Sequence, residues 1–174
     1  MFKELNILKI FFESPTREFN VRDIARMTKI APATASTKLK MFAKRTILKE
    51  RKERNFIFYK AKLDSDYYKD LKIFYTIRKV RKCELIEKLN HIYIKPTLIL
   101  FGSASHGLDT EDSDIDLLVI SENKKEFKEK NKFEKKLNRK LQLFIVKDIK
   151  ELKNKHLINN ILNGISLQGT AKLN

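Results

Sequence analysis

The stretch that decides the fold of the C-terminal half runs Thr97-Leu98-Ile99-Leu100-Phe101-Gly102-Ser103, then ten residues, then Asp114-Ile115-Asp116-Leu117-Leu118-Val119-Ile120. Thr97 to Phe101 and Leu117 to Ile120 are short continuous apolar runs, the pattern of strands covered on both faces. The first run ends on a Gly-Ser turn. Such a turn brings backbone N–H groups and a hydroxyl close to a polyphosphate, and a helix starting there would add positive potential. Two carboxylates at i and i+2 of a strand point to the same face, so Asp114 and Asp116 can share hard cations such as Mg²⁺. Phosphoryl chemistry uses cations of this kind to clamp attacking and leaving oxygens. Chance produces G-S-x10-D-x-D in roughly one chain in several hundred of this length, before the flanking strands are required. The motif therefore outweighs any reading from composition.

With Phe101 before it, Gly107 inside it and Ser113-Asp114-Ile115-Asp116-Leu117-Leu118 around its acidic end, the motif resembles the minimal nucleotidyltransferases of the DNA polymerase β superfamily. The match covers about residues 95–150. The resemblance implies that Gly102 and Ser103 bind nucleotide phosphates. It implies that Asp114 and Asp116 are the catalytic, metal-binding pair, with Mg²⁺ as cofactor and a nucleoside triphosphate as substrate or ligand. Two departures stand beside it. Family members commonly carry a third acidic residue on the next core strand, read here as Lys140 to Val146, and the expected place holds Gln142. The Arg residues often found after the Gly-Ser are replaced by Ala104 and His106. Without a third carboxylate, the cation that activates an acceptor hydroxyl is weakened, while the nucleotide-bearing one keeps two Asp ligands. Asp148 compensates only if the backbone bends it inward. Asp109, Glu111 and Asp112 read as solvated loop residues.

Outward from the motif, Asn123 to Asn138 reads as a helix packing Phe127, Phe133 and Leu137 on the sheet, with a solvated basic outer face. Asp148 to Leu152 and Lys155 to Leu162 read as short closing helices, and Gly164 onward as a frayed or partner-ordered tail.

The N-terminal half reads as three helices and a hairpin. Phe2 to Glu13 spaces Leu5, Leu8 and Phe12 helically, with Ile10 also apolar, and Ser14-Pro15-Thr16 ends the run. Val21 to Thr28 is a second helix, with Ile24, Ala25 and Met27 inward and Asn20 and Asp23 placed as a capping box. After Lys29-Ile30-Ala31, Pro32 suits the first turn of a third helix through Lys44, burying Ala35, Leu39 and Phe42. Ile47 to Arg51 and Asn55 to Lys60 alternate as a hairpin around Lys52-Glu53-Arg54. This is the order of a winged helix-turn-helix. About residues 4–62 resemble the DNA-binding domains of small archaeal and bacterial transcription regulators. In that setting Thr34, Ser36 and Thr37 enter the major groove, while Lys38, Lys40, Lys44 and Arg45 meet phosphate. Arg51, Lys52 and Arg54 on the wing reach backbone or minor groove. Winged helices also serve as protein-docking and dimerisation modules. Between the halves, Asp64 to Asn90 reads as one or two helices with an apolar stripe of Leu71, Phe74, Ile77 and Val80, either core or a dimerisation helix.

Composition bounds the rest. The chain has 174 residues, is 42% hydrophobic and 34% charged, and carries a formal net charge of +16. That is too apolar for a disordered polycation and too charged for a membrane-embedded chain. No apolar run is long enough to span a bilayer, and the start lacks a signal-peptide pattern, so a soluble, cytoplasmic protein is expected. The single cysteine, Cys83, excludes a disulfide framework and a Cys-rich zinc site. Residues 1–95 hold 24 Lys/Arg and 11 Asp/Glu, net +13, whereas residues 96–174 are net +3. The asymmetry fits a polyanion bound by the N-terminal half, and composition alone fits a Lys- and Glu-rich thermophile-like surface equally well.

The expected class is α+β: a winged helix-turn-helix over 1–62, a helical linker over 63–94 and a small mixed-sheet nucleotidyltransferase fold over 95–174. Two functions follow. One is an enzyme that transfers a nucleotidyl group from NTP and Mg²⁺ to a hydroxyl acceptor, with activity weakened by Gln142. The other is a DNA-binding regulator or antitoxin whose second domain senses nucleotide or docks a protein. Minimal nucleotidyltransferases resemble the antitoxin partners of small helical ribonuclease toxins of the HEPN kind, some of which add AMP to the toxin. The partners implied are double-stranded DNA, an NTP, a toxin protein and a second copy of the chain, with no membrane.

Overall fold

A computed structural model describes residues 2–170, with side chains from Asn6 onward. The chain divides into two compact units, Met1–Tyr75 and Thr76–Asn174.

In the first unit, α1 (Phe2–Glu13), α2 (Val21–Thr28) and α3 (Pro32–Lys44) precede a hairpin of β2 (Leu48–Glu53) and β3 (Phe56–Ala61). A two-residue strand, β1 (Phe19–Asn20), joins β3 antiparallel and gives the sheet order β1-β3-β2. The helices form where their caps dictate. Asn20 accepts from the Asp23 N–H at 3.0 Å, and Asp23 accepts from the Asn20 N–H at 3.2 Å, the reciprocal box expected for α2. Lys29, in the left-handed region at φ 55°, ends α2, and Pro32 opens α3 without a side-chain cap. Ile7, Leu8, Phe11, Phe12, Ile24, Ala35, Leu39 and Phe42 bury together beneath the sheet residues Leu48 and Tyr59. Leu5, expected to join them, lies outside the described side chains. Met27 does not turn inward; it is 52% exposed, because α2 seats on the core through the adjacent pair Ile24 and Ala25. The hairpin turn is also narrower than expected. Arg51, Lys52 and Glu53 pair within β2, which leaves Arg54 and Asn55 as the two-residue tip.

Segment 63–94 contains two helices, α4 (Asp66–Lys82) and α5 (Leu85–Tyr93). The start of α4 is tied to α1: Tyr68 donates to the Phe12-adjacent carbonyl of Phe11 at 3.1 Å, the fully buried Lys72 donates to the carbonyl of Phe12, and Tyr75 donates to Glu13. A buried ammonium on the terminal carbonyls of α1 caps that helix end and complements its dipole. The stripe of Leu71, Phe74, Ile77 and Val80 splits. Leu71 packs on the first unit's core, Ile77 and Val80 on the second's, and Phe74 is 42% exposed.

The second unit is a four-stranded mixed sheet in the order β6-β5-β4-β7, from β4 (Thr97–Phe101), β5 (Ile115–Ile120), β6 (Leu141–Val146) and β7 (Ile165–Gln168). β4 and β5 are antiparallel, and β5 and β6 parallel. Strand alternation sends Leu98, Leu100, Leu117 and Val119 to one face, under α5, Phe127, Phe133 and Leu137. Ile99, Phe101 and Leu118 go to the other, with Val146, Ile149 and Ile161 of α7 (Lys155–Leu162). Both faces are thus covered, as the continuous apolar runs imply. Two expectations fail here. The helix after β5 is only α6 (Lys130–Leu137), since Asn123 folds its own side chain onto the Lys125 N–H at 3.1 Å and onto the Ile92 carbonyl at 2.8 Å, holding 123–129 as loop. Where a frayed tail is expected from Gly164 onward, Ile165–Gln168 form edge strand β7, and 171–174 lie outside the described residues. A Cβ at Gly164 would sit 2.7 Å from the Leu100 carbonyl oxygen, so that glycine marks a close approach to β4.

Removing the α2 cap with Asn20→Ala lowers the stability of the N-terminal unit by about 1 kcal/mol, read as an earlier denaturant midpoint by circular dichroism; Asn20→Asp retains it.

Candidate functional site

At the ends of β4 and β5, the register places Phe101 opposite Asp116, and the chain then leaves β4 through Gly102. Gly102 has φ +71°, and a Cβ there would lie 2.3 Å from Asp116 Oδ2. Only glycine allows both the backbone twist and this approach to the carboxylate. Ser103–His106 forms one short 3₁₀ turn rather than a helix, so this segment adds no helix dipole of any length. Ser105, which the sequence pattern did not single out, is buried and donates its hydroxyl to the Gly102 carbonyl at 2.8 Å, pinning the turn. The Ser103 hydroxyl is half-buried and has no hydrogen bond among the described residues.

Asp114 immediately precedes β5 and Asp116 is its second residue, so both project on the face that carries Leu118. Among the described residues neither carboxylate has a hydrogen-bond donor or a cation as partner. Burial raises the Asp116 carboxyl above the ordinary aspartate range, and the charge of Asp114 raises it further. Two half-buried carboxylates that repel each other and lack a counter-charge have the donor chemistry of a divalent cation site. Gln142 is the Cα partner of Asp116 across the parallel β5–β6 pair, the position where a third carboxylate would complete the face. No group of three or more His, Cys, Asp or Glu side chains that could hold a metal ion occurs among the described residues. Asp148 is exposed and spends its carboxylate on the Lys150 N–H at 2.8 Å.

The loop from Gly107 to Ser113 differs from its expected solvated state. Asp112 is exposed, but Asp109 is buried and faces Arg139 at 4.0 Å, the two side chains being 4% and 6% exposed. Glu111 is half-buried. Ser113 Oγ accepts from the Thr110 N–H at 2.9 Å. These contacts hold the loop that delivers Asp114. The pairing of Asp109 with a residue thirty positions later leaves no local signal in sequence.

In the N-terminal unit, Thr34, Thr37 and Lys40 are exposed on one face of α3, with Lys44 and Arg45 at its end; Ser36 and Lys38 are half-buried beside them. Thr37 donates its hydroxyl to the Ala33 carbonyl at 3.0 Å. On the hairpin, Lys52 and Arg54 are exposed. Arg51 instead reaches Glu18 and Glu53, each at 2.6 Å, and lies 5.2 Å over the Phe58 ring. Its hydrogen bonds hold Glu18 below the usual carboxylate range.

Residues 82–166, which lie within the second unit, match the family model described as a nucleotidyltransferase domain. No curated protein matches the chain. One solved structure, a "putative transcriptional regulator" from Rhodococcus sp. RHA1, is similar with a TM-score of 0.33 and 15% identity. The similarity covers 68% of this chain and 41% of that one, so the chain spans less than half of that protein's length. Among the described residues no helix is long and apolar enough to cross a membrane.

The raised Asp116 carboxyl carries a stability consequence. An acid whose folded pKa lies above its unfolded value costs stability as it ionises: the cost is absent below the unfolded value, grows as pH rises towards the folded one and is complete above it. In Asp114→Asn, Asp116 titrates lower by carboxyl-resolved NMR, and less stability is lost between acid and neutral pH. An unmoved Asp116 titration assigns the shift to burial alone.

Proposed function

We propose that the second unit binds a nucleoside triphosphate with Mg²⁺ and transfers its nucleotidyl group to a hydroxyl acceptor, and that the first unit is a winged helix-turn-helix that binds duplex DNA. The observation that carries the enzymatic reading is the meeting of the Gly102 turn with Asp116, which brings a phosphate-accepting backbone and a cation-holding carboxylate to one point. At Gly102 the missing side chain lets the Asp116 carboxylate close on the turn, and the free Ser103 hydroxyl beside it supplies a hydrogen bond to phosphate oxygens. Asp114 and Asp116 hold Mg²⁺, which when bound neutralises phosphate oxygens and the leaving group. A cation held between them would offset the repulsion between Asp114 and Asp116.

Gln142 favours a second reading of the same site. A neutral amide opposite Asp116 neither ligates a cation strongly nor accepts the proton of an attacking hydroxyl. With only two carboxylates, nucleotide binding survives better than transfer, and the unit serves as a nucleotide sensor or docking module of a regulator or antitoxin. Incubation with labelled ATP, Mg²⁺ and the chain itself, DNA or RNA ends as acceptors separates the two. Label transfer that Asp114→Asn with Asp116→Asn abolishes supports the enzyme. Mg²⁺-dependent ATP binding without transfer to any of them supports the sensor, and Gln142→Asp then raises Mg²⁺ affinity.

The DNA reading rests on the helix order α1-α2-α3 before a basic hairpin, on the exposed Thr34, Thr37 and Lys40 of α3, and on the net +13 of residues 1–95. Lys52 and Arg54 provide the wing contacts, while Arg51 is spent on Glu18 and Glu53. In fluorescence-anisotropy titrations, Lys40→Ala and Lys52→Ala each weaken duplex binding for all sequences and lower the salt slope by about 1. Thr34→Ala changes sequence preference instead. An unchanged slope in both lysine variants places the DNA contact elsewhere.

A further inference from the structure

The exposed face of α4 has a pattern that neither proposed activity uses. Tyr67, Asp70, Phe74, Arg78 and Arg81 are all exposed, with Tyr67 at 46% and Phe74 at 42%. At 3.6 residues per turn they fall within about 40° of the direction of Phe74, so they form one straight stripe on a 17-residue helix. The stripe is symmetric about Phe74 in position and antisymmetric in charge. Asp70 stands four residues before Phe74 and Arg78 four after, Tyr67 seven before and Arg81 seven after. Asp70 and Arg78 have no ion pair or hydrogen bond from their side chains among the described residues, whereas the neighbouring Asp66 is engaged by Lys69 at 2.9 Å. Arg81 donates once, to the Leu167 carbonyl at 3.3 Å, and keeps its remaining donors.

We propose that this face docks a second copy of the chain, the two α4 helices lying antiparallel about a two-fold axis at Phe74. In an antiparallel pair the residue n positions before Phe74 opposes the residue n positions after it. Asp70 then meets Arg78 of the partner copy twice over, the Tyr67 ring meets the Arg81 guanidinium twice, and Phe74 meets its own copy. Parallel pairing would set Asp70 on Asp70 and Arg78 on Arg78, so the charge order selects one direction. The helix dipoles also oppose favourably in that direction. An unrelated partner would not require the stripe to complement itself. One 17-residue helix is about 25 Å long, which makes a small interface and a weak, concentration-dependent dimer.

The test uses the full chain without DNA or nucleotide, so it stands or falls apart from the function proposed above. Sedimentation velocity over a concentration series shows a monomer–dimer equilibrium. Asp70→Arg and Arg78→Asp, both at exposed positions, each weaken it by about tenfold or more, because each sets like charges together at two places. An equimolar mixture of the two variants associates again, since their altered pairs are complementary. In a Cys83→Ser background, Phe74→Cys forms an intermolecular disulfide on mild oxidation. Lys82→Cys does not, as the two copies of that position would lie about 24 Å apart along the paired helices. A monomer at every concentration, association indifferent to both reversals, or equal cross-linking at both positions overturns the proposal. Circular dichroism of each variant confirms that a lost dimer is not a lost fold.

Discussion

The approach of the Gly102 backbone to the Asp116 carboxylate is the constraint on which the C-terminal unit depends. It requires β4 to end where β5 begins, which the antiparallel register achieves by opposing Phe101 and Asp116. It requires a residue without a side chain at φ +71°, and a turn that folds back at once, which Ser105 secures through the Gly102 carbonyl. The cost is a carboxylate half withdrawn from water beside another of the same charge. Leu117 and Val119 are fully buried on the opposite face and fix the strand so that Asp116 cannot rotate away. Packing on one face thus holds charge on the other.

Much of this was legible from local patterns. The two apolar runs around G-S-x10-D-x-D located β4, β5 and the acidic pair, because strand periodicity and a glycine turn are properties of neighbouring residues. The capping box of Asn20 and Asp23, the Pro32 start of α3 and the buried triad Ala35, Leu39 and Phe42 were legible for the same reason. What escaped was set by distant partners. The two-residue β1 exists only because Tyr59 and Phe58 offer it a ladder, and β7 only because Leu98, Ile99 and Leu100 do. Met27 looked inward by composition, but α2 is too short to bury more than one side of a turn. Asp109 looked solvated because its partner, Arg139, arrives from the far end of α6.

The basic charge of residues 1–95 also resolves unevenly. Arg51 contributes to the count, yet Glu18 and Glu53 neutralise it and use it to anchor the strand to the segment before β1. Lys72 contributes too, and is buried on a helix terminus. Counting charges therefore overstates what is offered to a polyanion, while the exposed cations of α3 and the hairpin keep theirs.

Gln142 sets the charge of the strand position beside Asp116. Its Cα lies in register with Asp116, so a carboxylate at 142 would face the same site without any change of backbone. Such a third charge would deepen the repulsion already felt by Asp116 and would raise the demand for cations from one to two. The amide relieves that demand. On the proposed reading, two carboxylates would suit the single cation that accompanies a triphosphate, and a neutral amide would not draw a proton from an acceptor. The geometry of the Gly102 turn, set by φ +71° and the approach of Asp116, is indifferent to which residue stands at 142.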